Sequence, residues 1–113
     1  MLEINTITSS ANQRFNLVLE NNETVDFRLY YSGRVQAWFY DFTYDELTVN
    51  GSKVVLTPNA LRNFRRIIPF GIAFASDGMT EPFLISDFVS GRIKMYVLNS
   101  DEVDEVESEI FNN

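Results

Sequence analysis

The chain has 113 residues and a net charge of −7, and it contains neither histidine nor cysteine. A chain of this length forms one domain that buries roughly two thirds of its unfolded surface. Without histidine and cysteine the sequence lacks the usual catalytic bases, thiol nucleophiles, disulfides and zinc ligands. We therefore expect a packed structural domain with no catalytic activity, no metal and no cofactor.

The sequence also argues against a membrane protein. No apolar run approaches the roughly 20 residues that a bilayer span requires. The first ten residues, MLEINTITSS, lack the basic flank and apolar centre of a signal peptide. We expect a protein that starts in the cytoplasm and has no membrane partner.

The first half of the chain has the alternating pattern of half-buried β-strands. Apolar residues recur at every second position in QRFNLVLE and again in TVDFRLYY. The pair Asn21-Asn22 between these runs predicts a tight hairpin, because asparagine tolerates a positive φ. Ser32-Gly33 predicts the next turn, and residues 34–43 predict a third strand.

The third strand carries five consecutive aromatic or acidic residues, WFYDF, at positions 38–42. On a strand, Trp38, Tyr40 and Phe42 share one face while Phe39 lies on the other. A strand that is apolar on both faces is covered on both sides, so we predict that Trp38, Phe39 and Phe42 are core aromatics. The alternative is a sugar-stacking platform built from Trp38, Tyr40 and Asp41.

The second half contains further strands and one break. The short apolar pieces LTV and KVVLT flank Asn50-Gly51, which predicts a second hairpin. Thr57 and Pro58 can begin one short helix. Residues 67–75 predict a strand at a sheet edge or with a bulge, because Pro69 and Gly71 weaken it. RIKMYVLN, at 92–99, predicts the last strand.

These elements indicate an all-β fold. We expect residues 1–99 to form a small barrel or sandwich of about seven to eight antiparallel strands with one short helix. Residues 100–113 are expected to form an acidic tail, flexible or ordered on assembly. Residues 101–113 hold six acids and no base, and the rest of the chain is nearly neutral.

Two groups of opposite charge are candidate partner-binding residues. A basic triplet lies on the predicted helix, and its charge complements that of the tail, so the two could form an electrostatic clasp within or between protomers. A lone triplet of this kind is also typical of a solvated face. Nucleic acid is an unlikely partner, because the chain has no surplus of bases. The candidate residues are Arg62, Arg65, Arg66, Asp101, Glu102, Asp104 and Glu105.

The order of these features resembles the phage baseplate plug family known from a cyanophage contractile tail. The resemblance runs from about Gln13 to Leu98. It rests on Trp38 with Asp41, Asn50-Gly51, Gly71, Asp87-Phe88, Gly91-Arg92 and Tyr96.

The resemblance implies a structural subunit of a phage or prophage tail baseplate, without enzymatic activity. Such a subunit would be assembled in the host cytoplasm, contact other baseplate and tail subunits, and be oligomeric in the particle. The alternative function is a β-sandwich binding module for carbohydrate.

Overall fold

The computed structural model describes the backbone of residues 1–111 and the side chains of residues 1–109. Residues 112 and 113 of the expected tail lie outside the described residues. The secondary structure consists of seven strands, a 3-10 turn at Arg62–Phe64, one α-helix and a closing π-helical turn at Glu107–Phe111. The strands are β1 Leu2–Ile4, β2 Asn12–Val18, β3 Thr24–Ser32, β4 Ala37–Tyr44, β5 Leu47–Lys53, β6 Phe70–Ser76 and β7 Ile93–Asn99, and the helix is α1 Ser100–Val106.

The strands form two antiparallel sheets. One sheet has the order β2-β3-β4-β5 and the other has the order β1-β7-β6. Rings from the two sheets meet between them: Tyr40 lies 5.8 Å from Phe74, and Phe42 lies 6.1 Å from Phe70. Within residues 1–111 the strands close no barrel, so of the two expected architectures the sandwich fits and the barrel is wrong.

The first predicted hairpin is confirmed. β2 and β3 are joined by a turn in which the Asn22 N–H donates to the Leu19 carbonyl at 2.9 Å. The Leu19 N–H donates to the Glu23 carbonyl at 2.8 Å, and Asn22 has a φ of 67°. Asparagine accepts this left-handed conformation at low cost, which is why the Asn-Asn pair marked the turn.

The second predicted hairpin is wrong. β5 is one continuous strand, and Asn50-Gly51 lies inside it. The chain reverses earlier, at residues 45–46, where Asp45 has a φ of 54°. Gly51, with a φ of 72°, makes a bulge, and the register between β4 and β5 shifts beside it. A glycine at positive φ serves a bulge as well as a turn, and therefore the dipeptide alone misplaced the reversal.

The aromatic strand β4 alternates as expected, but the prediction that Phe39 is a core aromatic is wrong. Trp38 is 0% exposed and Phe42 is 1% exposed, whereas Phe39 is half-buried on the outer face, where it stacks on Tyr30. Tyr40 is 4% exposed. A sugar-stacking platform of Trp38 and Tyr40 is therefore wrong, because both rings lie inside the sandwich.

Trp38 also joins the sheet to a distant loop. Its ring packs edge-on against Phe88 at 5.3 Å, and its indole N–H donates to the Leu84 carbonyl at 3.0 Å. A buried indole needs such a partner for its N–H. Trp38 therefore fixes both the core and the loop between β6 and β7.

We expect Trp38→Ala to lower the free energy of unfolding by about 3 to 5 kcal/mol, since it empties a fully enclosed site. Phe39→Ala, one residue away on the outer face, is the matched control and should cost clearly less. Chemical denaturation of both variants measures the difference. Equal losses would contradict the assignment of Trp38 to the core.

Candidate functional site

The C-terminal helix begins directly after β7. The Asn99 side chain accepts from the Glu102 N–H at 2.8 Å, and the Glu102 carboxylate accepts from the Asn99 N–H at 2.9 Å. This reciprocal capping satisfies two helix-end donors. The hydrogen bond from Asn99 is the main reason that the pKa of Glu102 is lowered. Asp101 and Glu102 also lie in the first turn, where the helix dipole favours acids.

A buried apolar residue fastens α1 to the outer face of the three-stranded sheet. Val103 is 5% exposed and packs against Ala73 and Leu98. The helix approaches the sheet closely at Gly71: a Cβ there would lie 3.0 Å from Val103 Cγ2 and 2.7 Å from Asn59 Oδ1. A glycine in β6 therefore makes room for the helix.

The basic turn and the acidic segment meet within one protomer. The Glu107 carboxylate lies 2.9 Å from Arg62 Nη2 and 3.4 Å from Arg65 Nε. All three side chains are partly exposed, so these ion pairs are modest individually. We call Arg62, Arg65 and Glu107 the clasp. The predicted residues include both arginines but not Glu107.

The other candidate residues take different positions. Arg66, Asp101, Asp104 and Glu105 are exposed. Glu102 is half-buried at the cap and contacts the amino group of Met1. Four of the seven predicted charges therefore face solvent along α1 and beside the clasp.

The C-terminal segment differs from the expected tail. Ser100–Val106 is helical and lies against the sheet. Three contacts account for its order: the cap at Asn99, the burial of Val103 and the ion pairs of Glu107. The cap has a sequence signature, Asn99 followed three residues later by Glu102. The ion pairs of Glu107 have none, because they depend on how the helix lies on the sheet.

A second polar site organises the loop between β6 and β7. Asp87 is 1% exposed, and its Oδ2 accepts from the N–H groups of Phe83 at 2.7 Å and Leu84 at 2.8 Å. Arg92 binds it with two nitrogens, at 2.8 and 2.7 Å. Arg92 also donates to the Thr80 and Glu81 carbonyls. This bidentate pair explains why Asp87 and Arg92 occur together in the sequence.

The environment of Asp87 keeps it ionised. Burial by itself raises the pKa of this carboxyl, but the hydrogen bonds from Arg92, Leu84 and Phe83 outweigh burial and lower the pKa below its ordinary value. Asp41 behaves alike: burial is outweighed by hydrogen bonds from Gly51, Tyr30 and Arg28, and its pKa is also lowered. Neither carboxylate is poised to exchange protons at neutral pH.

The described residues contain no group of three or more acids that could hold a metal ion. Within residues 1–111, no helix combines the length and apolar character needed to span a membrane.

The fold is a small two-sheet sandwich, and the buried charged side chain of its described residues, Asp87, holds the loop between β6 and β7. In comparison with known families, residues 1–101 match the model described as cyanophage baseplate Pam3 plug gp18. The chain belongs to this family, and so to the structural proteins of the bacteriophage tail baseplate. A comparison with curated proteins found no match. The family match ends two residues into α1 and includes Gly71, Asp87 and Arg92.

We expect Gly71→Ala to lower the melting temperature, with a loss of about 1 to 3 kcal/mol, because the added Cβ overpacks the contact with α1. Asn59 cannot yield easily, since its Oδ1 accepts from Leu61 and Ile72 N–H groups. Gly78→Ala is the matched control, because nothing lies within 4 Å of that site. Calorimetry of both variants tests this, and equal melting temperatures would contradict the close packing.

We also expect acid to destabilise the fold partly through Asp87. A carboxyl whose pKa is lowered by folding contributes its stability above the unfolded pKa of 3.8 and loses it as pH falls through the lower folded value. Asp87→Asn should be less stable near neutral pH and lose less stability between about pH 5 and pH 3. Melting curves over this range measure it. If the melting temperatures of the wild type and Asp87→Asn fall equally with pH, protonation of Asp87 does not contribute to the acid sensitivity.

Proposed function

We propose that this chain is a structural subunit of a phage or prophage contractile-tail baseplate that acts through protein–protein contacts during virion assembly. The observation that carries the proposal is the family match over residues 1–101 of the 113-residue chain. The subunit is assembled in the host cytoplasm and is present in several copies in the particle. Its function is the shape and chemistry of its surfaces.

The environment of two carboxylates supports the view that the protein is not an enzyme. Asp41 and Asp87 are the carboxylates with the richest hydrogen-bonding environments, and each is ionised and held by structural donors. A general acid or base requires a pKa near the working pH. The pKa of each of these groups moves in the opposite direction.

The residues expected to bind carbohydrate are not available to a ligand. Sugar stacking requires exposed aromatic faces, and the rings expected to supply them, Trp38 and Tyr40, are enclosed. Asp41 is committed to Arg28 at 3.0 Å and to the Gly51 N–H at 2.7 Å. No contact in the sandwich favours this second function.

The exposed acids of α1 are the best candidates for contact with a neighbouring subunit. Asp101, Asp104 and Glu105 face solvent, whereas Glu102 and Glu107 are used internally. Their charge suits a basic protein surface. It disfavours nucleic acid and anionic membranes, which repel a chain of net charge −7. Arg66, exposed beside the clasp, offers a smaller basic contact.

The test uses a phage that encodes this chain. We expect a tagged chain to co-purify with the tails and to map to the baseplate by electron microscopy. The variant Asp101→Asn/Asp104→Asn/Glu105→Gln should be incorporated less than the wild type at physiological salt, where exposed charges act over about 8 Å. Its melting temperature should lie close to that of the wild type. The three side chains make no hydrogen bond or ion pair within residues 1–109, and only the favourable position of Asp101 in the first helical turn, worth about 0.3 to 1 kcal/mol, is lost.

The control carries three neutralised acids away from α1, Glu20→Gln/Asp45→Asn/Glu46→Gln, which lie in turns of the other sheet. Absence of the tagged chain from purified tails would exclude the baseplate function. Normal incorporation of the α1 variant, with the chain present in tails, would exclude only this surface.

A further inference from the structure

The apolar residues on the surface are unevenly distributed. Three connecting segments, residues 33–36, 54–57 and 77–92, lie together at one end of the sandwich, which we call the apolar end. Eleven large hydrophobic side chains of the described residues are exposed, and seven of them lie in these segments. They are Val35, Val55, Met79, Phe83, Leu84, Ile85 and Val89.

Hydrogen bonds hold the second and third segments together and join the third to β3 beside the first. Tyr31, beside the first segment, donates through its hydroxyl to the Phe83 carbonyl at 2.8 Å. The Leu56 N–H, in the second, donates to the Glu81 carboxylate at 2.7 Å. The third is held from inside by Asp87 and Arg92. The exposed side chains therefore project from a fixed backbone, which lowers the entropy cost of binding.

We propose that the apolar end is an interface with a second copy of this chain, the two copies meeting end to end about a two-fold axis. Exposed apolar groups gathered on one surface mark an interaction site rather than ordinary surface. The size also fits. The three segments comprise 24 residues, of which four are buried, and the remaining 20 reach the 20 to 30 residues a side of a standard interface.

The charges of the apolar end favour a second copy as the partner. Asp87 and Arg92 neutralise each other, and Glu81 is held by Leu56. Arg34 and Asp77 remain, and neither forms an ion pair with any other described residue. A two-fold interface brings residue i of one copy to residue j of the other, and j to i. In such an interface, Arg34 of each copy can pair with Asp77 of the other copy.

The distribution of the remaining charge leads to the same arrangement. The segments of the apolar end carry a net charge of −1, so most of the chain's −7 lies elsewhere. The acids of α1 begin at the far end of β7, about 20 Å along a seven-residue strand. That distance is more than twice the Debye length of about 8 Å at physiological salt. End-to-end pairing keeps the two acidic helices apart.

The purified full-length chain provides the test. Sedimentation velocity between about 1 μM and 1 mM should show a reversible dimer that predominates above about 100 μM. Val89→Asp should weaken the dimer at least tenfold. Ile67→Asp is the matched control, since Ile67 is 68% exposed outside the apolar end, and it should dimerise as the wild type does.

A charge exchange then identifies the orientation. Arg34→Asp and Asp77→Arg should each weaken the dimer by about three- to tenfold, and the double variant should restore it. Far-ultraviolet circular dichroism and melting temperature confirm that each variant is folded. The proposal is overturned if the wild type stays monomeric at about 1 mM. It is also overturned if Val89→Asp dimerises with the same affinity as the wild type. Failure of the double variant to recover overturns the two-fold arrangement. None of these results bears on the baseplate function, because no tail component is present.

Discussion

The contact between aromatic rings of the two sheets is the interaction on which the rest of the structure depends. The chain has no cysteine for a disulfide and no histidine for a zinc site, so packing and hydrogen bonds hold the sheets together. One sheet contributes the rings of Phe27, Tyr40 and Phe42. These pack against the rings of Phe70 and Phe74 from the other sheet. Large rings bury much apolar area per residue and restrict the relative orientation of their partners.

Two buried polar side chains extend this order to segments that are neither helix nor strand. Asn59 accepts two backbone N–H groups near the basic turn, and Asp87 accepts two in the loop between β6 and β7. Unpaired donors in the interior cost about 1 to 3 kcal/mol each. Each side chain therefore replaces the pairing that a regular element would have provided. The consequence is a small sandwich whose irregular parts keep a defined shape, which suits a subunit of a fixed assembly.

The alternation of apolar residues predicts the strands from the sequence. The contacts between distant segments have no such local pattern. β2, β3 and β7 follow the alternation of apolar residues closely, because one face of each is buried. β1 has three residues, too few to show a period. Asn50-Gly51 does not distinguish a turn from a bulge, because both use a glycine at positive φ.

At the candidate site, too, the sequence shows the charged groups but not the contacts between them. The arginine triplet and the acidic segment are visible as charge runs, and their pairing within one protomer follows from attraction. Glu107 could not be singled out among five neighbouring acids, since the choice depends on how α1 lies on the sheet. Gly71 decides that position from 32 residues away. The sequence shows Asp87 and Arg92 only as part of the family resemblance, because their role depends on the fold of the loop that they hold.

The attachment of α1 has a mechanical consequence. β7 is the middle strand of its sheet, flanked by β1 and β6, and α1 continues from it without a connecting loop. Tension applied at the C-terminus therefore reaches the sheet through the helix. The helix is held by Val103, its cap and the clasp, contacts that can be peeled away in succession. β7 would instead have to slide past two neighbours at once. Under load the helix yields first, and the sandwich is spared until the helix has been released.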